Sequence, residues 1–230
     1  AVVLVIGVGA YVSGSLNSAA IPGITDPTSS ASASSGVDQT KIAEYMVALT
    51  ANPNDTITLW NLGNTYLDAA DYTNALTFYE KLTLASPDDP NVWIASGAAA
   101  YNRWQLAGSS MADRADLDLA FDRWMQATKV DPKNAEAHLN LGYWYSVQIP
   151  AKDAQSKSEW ETAVKLAPKS QIALQAHLQL GFWYLRQTPK QELEAKAEWE
   201  IVIKMDRTSE LAGMVRKHME QLGMDTSTTK

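Results

Sequence analysis

From Val37 onward apolar residues recur at helical spacing in short runs, and each run is closed by turn-forming residues. Pro53, Pro87, Pro132 and Pro168 mark four of these stops, because proline cannot continue a helix. The pattern predicts helices throughout and no alternation typical of strands. Val37 to Ala51 reads as a lone helix, and paired helices follow from Thr56. Near the end, Leu211, Met214, Val215, His218, Met219 and Leu222 share one face of a predicted helix over 209–223. Plentiful Ala, Leu, Trp and Tyr, with 46% hydrophobic and 20% charged residues, fit packed helices better than a sandwich of sheets.

The first residues follow a different rule. Ala1 to Val12 are almost all apolar, no charge precedes Asp26, and the first basic residue after the run is Lys41. A bilayer span takes about 20 mostly apolar residues, so this run reads as the outer part of an anchor helix over 1–20, with further residues expected upstream. Two other readings stay open: the tail of a cleavable signal peptide with Ser18-Ala19-Ala20 near its cut site, and a short core helix. Lys and Arg favour the cytoplasmic flank of a span. A flank without them directs the body outward, to an extracytoplasmic location at the membrane. Ile21 to Gly36 is a Ser/Ala/Gly/Pro stretch without apolar periodicity, a flexible linker.

The body repeats itself. Leu62-Gly63 with Tyr66, Ala75, Tyr79 and Pro87 form one set. Trp93 and Gly97 with Ala120, Trp124, Ala127 and Pro132 form a second. Leu141-Gly142 with Tyr145, Trp160, Ala163 and Pro168 form a third, and Leu180-Gly181 with Tyr184, Trp199 and Val202 a fourth. His138-Leu-Asn-Leu-Gly-Tyr-Trp-Tyr145 matches His177-Leu-Gln-Leu-Gly-Phe-Trp-Tyr184 so closely that the last two sets read as an internal duplication. These slots resemble the tetratricopeptide repeat (TPR), a unit of about 34 residues built from two helices. The resemblance implies an all-α superhelix of antiparallel helix pairs behind the N-terminal anchor helix. It divides 37–223 into a half repeat at 37–53, repeats at about 56–89, 90–134, 135–173 and 174–208, and a capping helix at 209–223, with a disordered tail at 224–230. The second repeat carries about 11 residues more than the template, within Asn102 to Leu119. Ser110 and Asp113 there resemble a capping box opening a lengthened helix.

In TPR proteins the first helices of successive repeats line a concave groove that holds peptides. Carried over, the groove slots are Trp60, Asn61, Asn64, Leu67 and Asp68 in the first repeat; Ala98, Tyr101 and Asn102 in the second; Asn140 and Tyr143 in the third; and Gln179, Phe182 and Arg186 in the fourth. Amide side chains donate and accept together, which suits a peptide main chain of any sequence. Aromatic residues are common interface anchors. The bland alternative makes Trp60 and Tyr143 packing residues. Asn64 stands where chaperone-binding TPRs hold a C-terminal carboxylate, but Trp60 replaces the lysine expected beside it.

Charge and chemistry narrow the function. The chain has a net charge of −7 and no basic block, which disfavours nucleic acid as a partner. It has no cysteine, no Gly-rich phosphate loop and no nucleophile elbow. No metal or cofactor is expected and no enzymatic activity. His138 and His177 occupy one slot and read as packing histidines with a hydrogen-bonded ring nitrogen. The elongated second repeat resembles the TPR domain of cytochrome c-type haem lyase subunits, mainly over Ile42 to Leu166, which implies a place in cytochrome c maturation. The expected function is a membrane-tethered scaffold or adaptor binding a protein or extended peptide; the alternative is a structural accessory subunit of a larger membrane complex or filament.

Overall fold

The computed structural model describes residues 38–110, 114–148 and 152–226. The expected anchor, the linker, Asp113 and the end of the tail lie outside the described residues. Those described form ten helices: α1 (Gln39–Ala51), α2 (Thr56–Asp68), α3 (Tyr72–Ala85), α4 (Pro90–Leu106), α5 (Ala115–Val130), α6 (Ala135–Ser146), α7 (Asp153–Leu166), α8 (Gln171–Arg186), α9 (Glu192–Met205) and α10 (Glu210–Gln221). Among the described residues no helix is long and apolar enough to cross a membrane.

The helix starts are written locally. Asp38, Asp55, Asp71 and Asp89 cap α1 to α4, each carboxylate accepting a backbone N–H of the first turn. Asn134, Ser170 and Ser209 do the same for α6, α8 and α10. These side chains satisfy N–H groups that have no partner inside the helix. Because Ser170 caps α8, that helix starts at Gln171, ahead of the repeat boundary placed at Leu174. The expected capping box in the insertion does not open α5: that helix begins at Ala115 with Arg114 at its cap and no side-chain cap bond. Ser110 stays in the loop, its carbonyl accepting Trp104 Nε1–H at 3.0 Å. Acidic Asp116 and Asp118 in the first turn of α5 favour its start through the helix dipole. Between α2 and α3 the chain turns through Ala70 at φ 56°, where Ala70 N–H bonds Leu67 O and Asp71 N–H bonds Tyr66 O.

Two compact units result, one to Pro132 and one from Lys133. In the first, α2 pairs with α3 and α4 with α5, α3 packs on α4, and α1 leans on α2. In the second, α6 pairs with α7 and α8 with α9, α7 packs on α8, α6 also meets α8, and α10 covers α9. Leu211, Ala212, Val215 and Met219 of α10 are buried, whereas Leu222 falls past the helix end and is exposed, outside the expected face.

One contact recurs in all four pairs. The glycine of the first helix faces an aromatic ring of the second: Gly63 faces Tyr79, Gly97 Trp124, Gly142 Trp160 and Gly181 Trp199. A Cβ on any of these glycines would lie less than 3.0 Å from the ring. Glycine is therefore required by close approach, and the four rings are each at most 1% exposed. A buried ring of this size stabilises by roughly 1.5–3 kcal/mol.

Candidate functional site

The first repeat brings its groove slots together on one helix. Trp60, Asn64 and Asp68 stand four residues apart along α2 and so share a face. The first two touch Tyr79 of α3, and the third acts on it through its charge. The Trp60 ring packs edge-on against Tyr79 with centroids 6.0 Å apart. The Tyr79 hydroxyl donates to Asn64 Oδ1 at 2.7 Å. Burial, and then the Asp68 charge, push the Tyr79 hydroxyl well above its ordinary range, so it stays a donor. Trp60 and Asn64 are half-buried and Asp68 is exposed. Partial desolvation raises the Asp68 carboxyl, and no cation opposes that shift. Asn61 lies half-buried beside this stripe and its carbonyl accepts the Thr65 hydroxyl. Leu67 belongs to the core.

In the second repeat Ala98 and Asn102 are buried. Tyr101 rests between Trp104 and Trp124, with centroids at 5.6 and 5.7 Å, and burial pushes its hydroxyl up to about 12.

The second unit treats the same slots differently. Asn140 is 1% exposed, Tyr143 6% and Gln179 3%. The Tyr143 ring packs on Trp160, and Phe182 on Trp199 and His218. Both amide atoms of Asn140 and Nε2 of Gln179 are buried without a hydrogen-bond partner. Arg186 is exposed, 3.9 Å from Asp153. Placed this way, Asn140 and Tyr143 are interior residues, while Phe182 and Arg186 keep access to the surface.

His138 and His177 form matched pairs with Glu159 and Glu198, through Nδ1 at 2.6 and 2.5 Å. Each ties the two helices of its own repeat. Among the described residues no group of three or more metal-ligating side chains comes together.

Tyr79 went unread as a site residue, although the sequence marks it: it is the one tyrosine in a slot that holds tryptophan in the other three repeats. Glu136 also escaped attention. Its Oε1 is buried without a partner, and burial pushes its carboxyl up to about 7.

No protein-family model matches the chain, and no curated protein is similar to it at a meaningful level. Solved structures are. TTC0263, a thermophilic TPR protein of Thermus thermophilus, superposes with a TM-score of 0.61 at 21% identity, over 79% of this chain and 89% of that one. MamA gives 0.57 at 20% identity, over 72% and 86%. YrrB, described as a TPR protein with an unusual peptide-binding site, gives 0.56 at 17% identity, over 78% and 83%. Identities this low speak for the fold alone, and none of these neighbours supports the likeness to haem lyase subunits. With paired helices, a glycine under each aromatic ring and these neighbours, the fold of this chain is that of the tetratricopeptide-repeat proteins.

Proposed function

We propose that this protein is a non-enzymatic scaffold that holds a partner polypeptide on the first-helix face of its first unit. The stripe Trp60, Asn64 and Asp68 carries this reading, because it joins a flat apolar ring, an oriented amide and an unpaired carboxylate on one accessible face of α2. Fixed polar groups beside an aromatic anchor suit an extended peptide. The peptide-binding site named for YrrB adds weight by analogy of fold. The finer parts of the reading rest on sequence: a tether in 1–20 and an extracytoplasmic body follow from the apolar start and the absence of basic residues before Lys41, and a structural subunit of a larger membrane complex or filament is the alternative. A role in cytochrome c maturation rests on the elongated second repeat.

Photo-cross-linking in the native membrane fraction tests it. A benzophenone residue at Trp60 or Asn64 is expected to trap one discrete partner, whereas the same probe at Leu84 of α3, 84% exposed, is expected to trap none of it. Equal trapping at position 84 would move the contact off the α2 face. An apocytochrome among the trapped partners would select the maturation role.

A further inference from the structure

The α2 stripe also constrains what it can hold. Tyr79 supplies its only hydroxyl hydrogen to Asn64 Oδ1, so the amide is held with Nδ2 as the free donor. A donor in that position calls for a carbonyl oxygen. At one end Trp60 offers a ring whose edge contact with Tyr79 keeps it in place. At the other end Asp68 has an exposed carboxylate and no ion-pair partner among the described residues. The surrounding unit is acidic, with 14 acidic and 6 basic residues up to Pro132. A cation from outside is therefore the complementary group.

Spacing sets the pattern. Four residues of helix rise about 6 Å, and alternate residues of an extended chain lie about 6.6 Å apart. Trp60 to Asp68 thus spans about 12 Å, close to the roughly 13 Å of four extended residues. We propose that α2 takes an extended segment of the partner carrying a large apolar side chain and a Lys or Arg four residues apart. The apolar group lies on Trp60, a main-chain carbonyl between them accepts from Asn64 Nδ2, and the cation meets Asp68. This deepens the scaffold reading and depends on it. Tyr79 is a positioning residue here, acting through Asn64.

A random twelve-residue display library selected on the full chain tests the inference, in parallel with D68K and Y79F. Asp68 is exposed and Phe retains the ring over Gly63, so both variants are expected to keep the parent melting temperature. The expected result is enrichment of an apolar residue followed or preceded at the fourth position by Lys or Arg. D68K should replace that basic residue by Asp or Glu. For a peptide of the parent class, D68N should weaken binding by about threefold, in line with a surface ion pair, and Y79F should weaken it without altering the charge preference. Enriched peptides that lack the pattern, or that ignore D68K, overturn this inference and leave the scaffold reading standing. A library that yields no peptide above background overturns the scaffold reading as well.

Discussion

The two units share a template and use it for opposite ends. In the unit ending at Pro132 the side-chain caps are aspartates and the α2 slots Trp60, Asn61, Asn64 and Asp68 reach solvent; in the unit from Lys133 the side-chain caps are Asn134, Ser170 and Ser209, and Asn140, Tyr143 and Gln179 are interior. The charge difference lies mainly in the basic residues, and the aspartate caps add to it. The first unit has 14 acidic and 6 basic residues, the second 12 and 13. The second unit also repeats its own fastenings: His138–Glu159 and His177–Glu198 join the helices of each pair, and Lys157 lies 5.0 Å from the Trp183 ring and 5.1 Å from that of Tyr184. The lesson is that a slot known to line a groove in one repeat is a packing position in another when its neighbours close over it. Helix α2 presents these positions to solvent, and α6 invests Asn140 and Tyr143 in the interior.

Four tests would break or sharpen that contrast, from the largest effect to the smallest. Trp160→Ala should cost about 3–5 kcal/mol, because the buried ring fills the space over Gly142. Urea denaturation reads the loss, and a cost below about 1 kcal/mol would mean that the ring does not organise the pair. Next, Gly181→Ala should destabilise by about 1–3 kcal/mol through its clash with Trp199, while Gly213→Ala in α10, where an added Cβ meets nothing within 4 Å, should gain about 0.5–1 kcal/mol from helix propensity. Equal effects at the two glycines would show that backbone preference, not ring approach, governs both.

Glu136 separates the units by pH. Desolvation pushes its carboxyl up to about 7 from an ordinary value of 4.5. Between those values the folded chain keeps a proton that the unfolded chain has lost, so stability falls as pH rises and the loss is complete above about pH 7. Glu136→Gln removes this cost. Discounted for its partial exposure, it should stabilise by about 1–2 kcal/mol at pH 8 and by almost nothing at pH 4. Melting curves at the two pH values provide the check, and a benefit independent of pH would rule out the titration. Ile57 and Asn91, both exposed, hold the equivalent slots of the first unit, so no matching effect is expected there. Last, Asp55→Ala should cost about 1 kcal/mol, and Asp55→Ser less than about 0.5 kcal/mol, if the aspartate caps of one unit and the serine caps of the other do the same work.

The sequence by itself determined the helices and their pairing. Asp, Asn and Ser caps, closing prolines and apolar spacing are local signals, each acting within one or two turns. The glycine-and-ring pairs were legible too, since Gly63, Gly97, Gly142 and Gly181 recur in step with Tyr79, Trp124, Trp160 and Trp199. Tertiary structure alone decided which slots face outward. Asn61 and Asn140 both stand two residues before the close-approach glycine of their first helices, yet one is half-buried and the other is enclosed with its amide unpartnered. Exposure is a sum over neighbours from several helices, and no local pattern carries that sum. The same reason hid Glu136: its raised carboxyl comes from what surrounds it, and a lone glutamate in the first turn of a helix looks like any other favourable dipole contact.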